Sequence, residues 1–135
     1  MYNLLEATVL ALILAFGSIQ PGSPLYPVRM AVENMAADEV VLLVSGHMFP
    51  VFDYYARDVE RYRLPDSPTL DTTRTLDYGI ARQLNEWLAN KGGVWVVLWQ
   101  DEVVDPVGYV ASMLDSVGQE QPVGRTFPQV GLRHY

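Results

Sequence analysis

The residues best suited to chemistry follow two apolar runs of the sequence. The first run, VVLLVSG at Val40–Gly46, leads into His47, and the second, VWVVLW at Val94–Trp99, leads into an amide and two carboxylates. If the two runs are neighbouring strands of a parallel sheet, their carboxyl ends form one crevice, where ligands of such sheets usually bind. The candidate ligand-binding residues at these ends are Ser45, His47, Gln100, Asp101, Glu102 and Asp105, and the aromatic stretch after His47 adds Asp53 and Tyr54.

The acidic cluster after the second run has two interpretations. In the first, His47 acts as a base or ligand beside these carboxylates, which hold a divalent cation through their oxygens. In the second, the cluster solvates a loop, and Asp105 caps a helix that begins at Pro106. Because side-chain caps at turns from strand to helix are common, we assign no catalytic residue, no resident metal and no cofactor.

Aromatic and arginine side chains crowd the stretch after His47. Tyr54, with the neighbouring tyrosines and Arg61, could stack on a sugar or another planar ligand. Alternatively, the tyrosine rings pack on the sheet and keep their hydroxyls in water. The stretch Arg57–Thr73 has no sustained period and is predicted to be a surface loop. Its arginines could contact a carboxylate, a phosphate or a lipid headgroup, or pair with acidic residues of the same loop.

Composition limits both the number of domains and the kind of ligand. The chain has 135 residues, which suits a single domain. Its net charge of -7 disfavours nucleic acid as a partner, because a phosphate backbone would be repelled over most of the surface. The sequence has no Cys, no glycine-rich phosphate-binding string and no GxSxG, so thiol, nucleotide and serine-hydrolase chemistry have no support.

The segment Leu4–Phe16 is the most apolar part of the chain. A helix formed by LLEATVLALILAF would be apolar on every face, so it would be buried in protein or in lipid. The run Leu4–Ile19 is shorter than the ~20 residues of a complete span, and no basic residue precedes it as in a signal peptide. We therefore predict an apolar helix within residues 1–20, which is the end of a transmembrane segment or a buried helix.

The remaining pattern, over residues 26–135, predicts a single α/β domain. Apolar runs without polar alternation indicate strands that are buried on both faces. Strands and helices alternate, which favours a small three-layer Rossmann-like domain with a mainly parallel sheet. The predicted elements are a helix within Tyr26–Ala37, a strand at Val40–Gly46, one or two helical turns from Pro50 within His47–Ala56, a helix at Thr75–Asn90 with Thr75 as N-cap, a strand at Val94–Trp99, a helix at Pro106–Val117 and an edge strand within Thr126–Tyr135.

Four stretches of the sequence resemble one protein family. They are VVLLVSGHMFPVFDYYA, RYRLP, GVWVVLWQDEVVDPVGYV and GRTFPQVGLRHY, and the most specific piece is VWVVLWQDEVVDP. Over Tyr26–Tyr135 the chain resembles the extracytoplasmic C-terminal domain of bacterial polytopic glycosyltransferases of the GT-C, family 39-like type. These large membrane proteins are similar to protein mannosyltransferases and lipid-A aminoarabinose transferases.

The resemblance implies a location and partners. The apolar segment would be the end of the last membrane helix, and residues 26–135 would lie on the extracytoplasmic side of the cell membrane, beside the membrane domain of the parent protein. The ligand would be a glycan or a polyprenyl-phosphate sugar. In that family the catalytic carboxylate belongs to a loop between early membrane helices, so no catalytic residue is carried over, and we expect this chain to be a piece of a longer protein.

Two other functions stay open on the sequence alone. The chain could be a stand-alone α/β protein that binds or hydrolyses a small molecule with His47 and either Asp101 or Glu102. It could also be a structural module in which the apolar N-terminal helix drives formation of a homo-oligomer.

Overall fold

The structure is a computed structural model, which describes residues 26–45, 52–53, 58–66, 73, 75–123 and 130–135. Helices and strands alternate along these residues, so the fold is mixed α/β. The elements are α1 (Tyr26–Asn34), β1 (Glu39–Val44), β2 (Arg61–Leu64), α2 (Ile80–Leu88), β3 (Gly93–Trp99), α3 (Asp101–Val104), α4 (Tyr109–Val117) and β4 (Val130–His134).

The described strands form one sheet in the order β2-β1-β3-β4. β1 lies parallel to β2 on one side and to β3 on the other, whereas β4 pairs with β3 in the antiparallel direction. Between the two central strands, Val44 lies opposite Leu98, so β1 and β3 end side by side. The sheet is therefore mostly parallel. We call the edge at which β1, β2 and β3 end the carboxyl edge, and the opposite one the amino edge.

Apolar clusters cover both faces of the sheet, because successive side chains of a strand point to opposite faces. On one face, Val41 and Leu43 of β1 are buried with Val28 and Val32 of α1. On the other face, Leu42 is buried in a cluster that includes side chains of α2, α3 and α4. Burial on both faces explains why β1 and β3 read as continuous apolar runs, and it confirms the strands predicted there.

The predicted loop over Arg57–Thr73 is wrong where it includes β2. Of the four residues of this strand, only Leu64 is buried, while Arg61 and Arg63 are half-buried. Charged side chains and short length are typical of edge strands. The sequence of β2 has no period of its own to detect, because its strand conformation depends on pairing with β1.

The helix predicted at Thr75–Asn90 is confirmed as α2, but its start is not. α2 begins at Ile80, and Thr75 does not cap it. The N–H of Leu76 donates instead to the carbonyl oxygen of Val104, at 2.6 Å. This stretch is therefore tied to the chain after α3 and cannot join the first turn of its own helix.

The helix predicted from Pro106 also begins late. It is α4, which begins at Tyr109 after a turn at Pro106 and Val107, and ends at Val117 before Gly118 as predicted. α1 and β4 lie within the ranges predicted for a helix and an edge strand.

Two predicted elements lie wholly or mainly outside the described residues. The apolar helix of residues 1–20 lies outside them entirely, and of the helical turns within His47–Ala56 only Phe52 and Asp53 are described, both as helical. Along the described part of the chain, no helix has the length and apolar character that crossing a membrane requires.

Candidate functional site

The carboxyl edge brings together the ends of three strands. Ser45 is buried directly after β1, and its N–H donates to the carbonyl of Leu64, the last residue of β2, at 2.7 Å. Gln100 is exposed directly after β3. Ser45 and Gln100 both have left-handed backbone conformations, with φ of 89° and 53°. Residues other than glycine rarely adopt this conformation, and it concentrates at functional sites, so this edge is the candidate site.

Asp101 gives this edge a carboxyl group with a raised pKa. The residue is half-buried at the first position of α3. Burial raises its pKa above the ordinary 3.8, and the nearby carboxylates of Glu102 and Asp105 also raise it, by more in total than a backbone hydrogen bond and Arg133 lower it. The oxygens of this carboxyl group accept hydrogen bonds. Asp101 is therefore suited to contact a hydroxyl group.

Asp105 is buried and caps α4. Its Oδ1 accepts the N–H of Tyr109 at 2.8 Å, and its Oδ2 accepts the N–H of Val110 at 3.0 Å. Gly108, which lies between Asp105 and Tyr109 in sequence, has φ of 79°, which glycine adopts without strain. The capping interpretation is thus confirmed for Asp105, although the helix that it caps begins at Tyr109. The side chain positions α4, whereas Glu102 is exposed at the same edge.

Asp53 holds Arg61 of the edge strand β2. Its Oδ1 accepts the Nε–H of Arg61 at 2.7 Å, and the same guanidinium donates from Nη1 to the carbonyl of Val59 at 2.9 Å. Arg63 pairs with Asp66 at 2.6 Å. Both arginines therefore have carboxylate partners, but only the pair Arg63–Asp66 lies within the stretch Arg57–Thr73 as the second interpretation predicts, because Asp53 precedes that stretch.

The ring of Tyr62 packs on another aromatic side chain. It stacks on Trp87 of α2, with 4.6 Å between ring centroids and 11° between ring planes. Its hydroxyl donates to Glu60, which also pairs with Lys91 at 2.6 Å. Tyr62 thus packs as the alternative for the tyrosines expects, although its ring packs on a helix residue and not on the sheet, and its hydroxyl bonds to Glu60. Tyr54, for which ligand stacking was the other possibility, lies outside the described residues.

The cation interpretation needs His47, which also lies outside the described residues. Among the side chains that are described, no group of three or more His, Asp or Glu is arranged to hold a metal ion.

An apolar groove lies apart from the carboxyl edge, between α2 and α4. It has a volume of about 490 Å³, and its apolar lining includes Leu84, Leu88, Met113 and Leu114. The polar side chains in its lining are those of Asn85 and Ser116. A ligand rich in hydroxyl groups fits such a lining poorly, because each buried polar group without a hydrogen bond costs free energy.

Sequence reasoning missed a polar cluster at the amino edge. His134 Nε2 lies 2.5 Å from Glu39 Oε2, and the imidazole stacks on Trp95 with 4.0 Å between ring centroids. Glu39 Oε1 accepts the N–H of Ala36 at 2.6 Å and the indole N–H of Trp95 at 3.2 Å. The cluster joins β4 to β1 across β3. Glu39 and His134 are 95 residues apart in sequence, and no local pattern indicates such a pairing.

We expect the Glu39→Gln variant to lose stability at neutral pH and much less in acid. Burial raises the pKa of Glu39. Hydrogen bonds from Ala36, His134 and Trp95, together with the charge of His134, lower it by more, so the net pKa is below the ordinary 4.5. A lowered pKa in the folded state adds stability above the unfolded pKa, and this is lost as the pH falls through the folded value.

Urea unfolding of the parent and of Glu39→Gln between about pH 6 and pH 3 measures this effect. The difference in free energy of unfolding should shrink as the pH falls. Glu33→Gln is the matched control, because Glu33 forms an exposed pair with Arg29 on α1 at 2.9 Å and such pairs contribute little. A difference between parent and Glu39→Gln that stays constant over this range would contradict the prediction.

Comparisons with known proteins give no match. Models of protein families, curated proteins and solved structures all fail to match this chain. The resemblance to the glycosyltransferase family therefore stays a prediction.

Proposed function

We propose that this chain is a non-catalytic extracytoplasmic accessory domain of a membrane glycosyltransferase-like protein. It assists binding of the acceptor glycan or of the polyprenyl-phosphate sugar, and its other partner is the membrane domain of the parent protein. In this proposal the domain is a small three-layer Rossmann-like unit, and the apolar segment within residues 1–20 is the end of a transmembrane helix at the cell membrane.

One observation carries the proposal. The motif VWVVLWQDEVVDP, the most specific part of the resemblance, runs through β3 and α3. Its apolar half is a central strand, and its polar half begins with Gln100 at the carboxyl edge, where ligands of parallel sheets usually bind. Within this polar half, Gln100 and Glu102 are exposed and Asp101 is half-buried, so these side chains are accessible to a ligand at the carboxyl edge.

The chemistry of this edge suits hydroxyl groups better than phosphate. Gln100 offers an amide, Glu102 an exposed carboxylate, and Asp101 a carboxyl group whose pKa is raised by burial. These groups accept hydrogen bonds from sugar hydroxyls, and the amide of Gln100 also donates. The net charge of -7 disfavours a phosphate at the same place, so a lipid-linked sugar would bind here through its sugar.

The raised pKa of Asp101 also favours a second candidate function. Perturbed carboxyl groups are common among general acids, so a stand-alone α/β protein that binds or hydrolyses a small molecule with His47 and either Asp101 or Glu102 is the alternative. The two proposals differ in whether the ligand is converted to a product. An accessory domain releases its ligand unchanged, whereas a hydrolase releases products.

Calorimetric titration of the full 135-residue chain in detergent micelles separates the two proposals. The probes are farnesyl phosphate mannose and three neutral trisaccharides: maltotriose, mannotriose and chitotriose. We expect saturable binding of at least one probe, with no product detected by mass spectrometry. The double variant Gln100→Gly and Asp101→Asn should bind about tenfold more weakly, which corresponds to about 1.4 kcal/mol. Glycine suits the left-handed conformation at Gln100, so this variant should fold.

Gln119→Gly is the matched control, because Gln119 is an exposed amide beyond the end of α4. It should bind as the parent does. Binding of none of the four probes would contradict the accessory function. Hydrolysis of a probe that disappears in His47→Ala would instead establish the second candidate.

A further inference from the structure

Tyr78 presents its side chain to solvent beside the carboxyl edge. The residue is 73% exposed, and Val107 nearby in the turn before α4 is 69% exposed. The ring of Tyr78 contacts the half-buried ring of Tyr109, with 4.5 Å between ring centroids and 57° between ring planes. Most of the Tyr78 side chain is therefore accessible to a ligand, while the ring of Tyr109 supports it.

The backbone on both sides of this aromatic pair is held in place. Leu76 is bonded to Val104, the last residue of α3, and the Oδ1 of Asp77 accepts the N–H of Gly79 at 2.7 Å. Asp105 holds the first turn of α4, where Tyr109 lies. The pair therefore lies on a fixed turn, and a ligand that stacks on it does not have to order a free segment.

The charges around the pair are mainly negative. Asp77 precedes Tyr78 directly, and Asp101, Glu102 and Asp105 lie on or next to α3, the helix to which the turn is bonded. Among the described cations, Arg82 follows Tyr78 by four residues in α2, and Arg133 acts on Asp101 and lies 3.8 Å from Glu120. An anionic ligand would be repelled here, whereas a neutral polyhydroxy compound would find acceptors for its hydroxyl groups.

We infer that Tyr78 and Tyr109 form a stacking platform for a neutral saccharide. The apolar face of a sugar ring packs on the exposed ring of Tyr78, and its hydroxyl groups reach the amide and carboxyl groups of the carboxyl edge. This inference rests on the proposed function and narrows its ligand to the acceptor glycan, because the phosphate of a lipid-linked donor is disfavoured by the acidic surroundings. An exposed tyrosine at a membrane surface is the competing explanation.

The test uses the full chain in detergent micelles and titrates it with maltotriose, mannotriose and chitotriose. Tyr78→Ala should weaken binding of the preferred trisaccharide at least about tenfold. Tyr78→Phe keeps the ring and should bind within about twofold of the parent. Val117→Ala is the control, because Val117 is 78% exposed at the far end of α4 and should leave binding unchanged. Because Tyr78 is exposed, Tyr78→Ala and Tyr78→Phe should both melt at nearly the parent temperature, which circular dichroism checks.

The outcomes separate this inference from the proposed function. Equal trisaccharide binding by the parent and by Tyr78→Ala would overturn the platform and leave the accessory function standing. Binding of farnesyl phosphate mannose without binding of any trisaccharide would do the same. Flotation of the chain with phosphatidylcholine vesicles, if lost in Tyr78→Ala while trisaccharide binding is unaffected, would assign the tyrosine to a membrane surface and also overturn the platform.

Discussion

Replacing Leu42 with alanine is expected to lower the free energy of unfolding by about 2–5 kcal/mol. Leu42 is 1% exposed at the centre of β1, in the cluster that α2, α3 and α4 cover. The variant loses apolar burial and leaves a cavity between the sheet and these helices. Since domains of this size are stable by only about 5–15 kcal/mol, this loss is a large fraction of the total free energy of unfolding.

Urea unfolding followed by tryptophan fluorescence measures the Leu42→Ala effect. Val117→Ala removes apolar atoms from an exposed position and should change the stability by no more than about 0.5 kcal/mol. Similar midpoints for the two variants would mean that the apolar cluster around Leu42 is not part of the core.

The Asp105→Ala variant should lose on the order of 2–3 kcal/mol. The substitution removes the acceptor for two backbone N–H groups at the start of α4, and the N–H of Val110 is buried. Asp105→Asn keeps one acceptor oxygen and should lose less. The loss is large for a single side chain because the amides are left without a partner away from water.

Asp66→Ala is the matched control for this prediction. Asp66 also accepts a hydrogen bond, from Arg63, but its side chain is 73% exposed, so its removal should cost less than about 1 kcal/mol. Chemical unfolding gives the stabilities, and calorimetry at a temperature where each variant is folded gives the affinity for the trisaccharide. Unchanged stability together with lost binding would show that Asp105 contacts a ligand, contrary to its role as a cap.

The central part of the fold could be predicted because both faces of β1 and β3 are buried, and burial leaves a continuous apolar run in the sequence. α2 could be predicted from its amphipathic period, but its start could not. The period extends back through Leu76, yet the backbone of Leu76 is bonded to Val104. β2 was missed because its conformation comes from its neighbour in the sheet.

The sequence predicted that the candidate site lies at the carboxyl edge of the sheet, but not which of its side chains are free to contact a ligand. The rule that ligands meet the carboxyl ends of parallel strands selected Ser45 and Gln100. It could not separate Asp101, a half-buried carboxyl group whose pKa is raised, from Asp105, whose oxygens accept the N–H groups at the start of α4. Tyr78 falls within the stretch predicted to be a helix, and its exposure depends on a turn that only the tertiary structure creates. The pairing of Glu39 with His134 depends on the antiparallel return of β4.

The antiparallel direction of β4 provides an attachment point for the protein far from the carboxyl edge. β4 runs from a pairing with Trp99 back to one with Trp95, and Tyr135 then exchanges two backbone hydrogen bonds with Val94. Tyr135 therefore lies at the opposite end of the sheet from Gln100. Attachment to a biosensor chip through a flexible linker after Tyr135 would leave the carboxyl edge facing the flowing solution, so glycans could be screened against a uniformly oriented layer of protein.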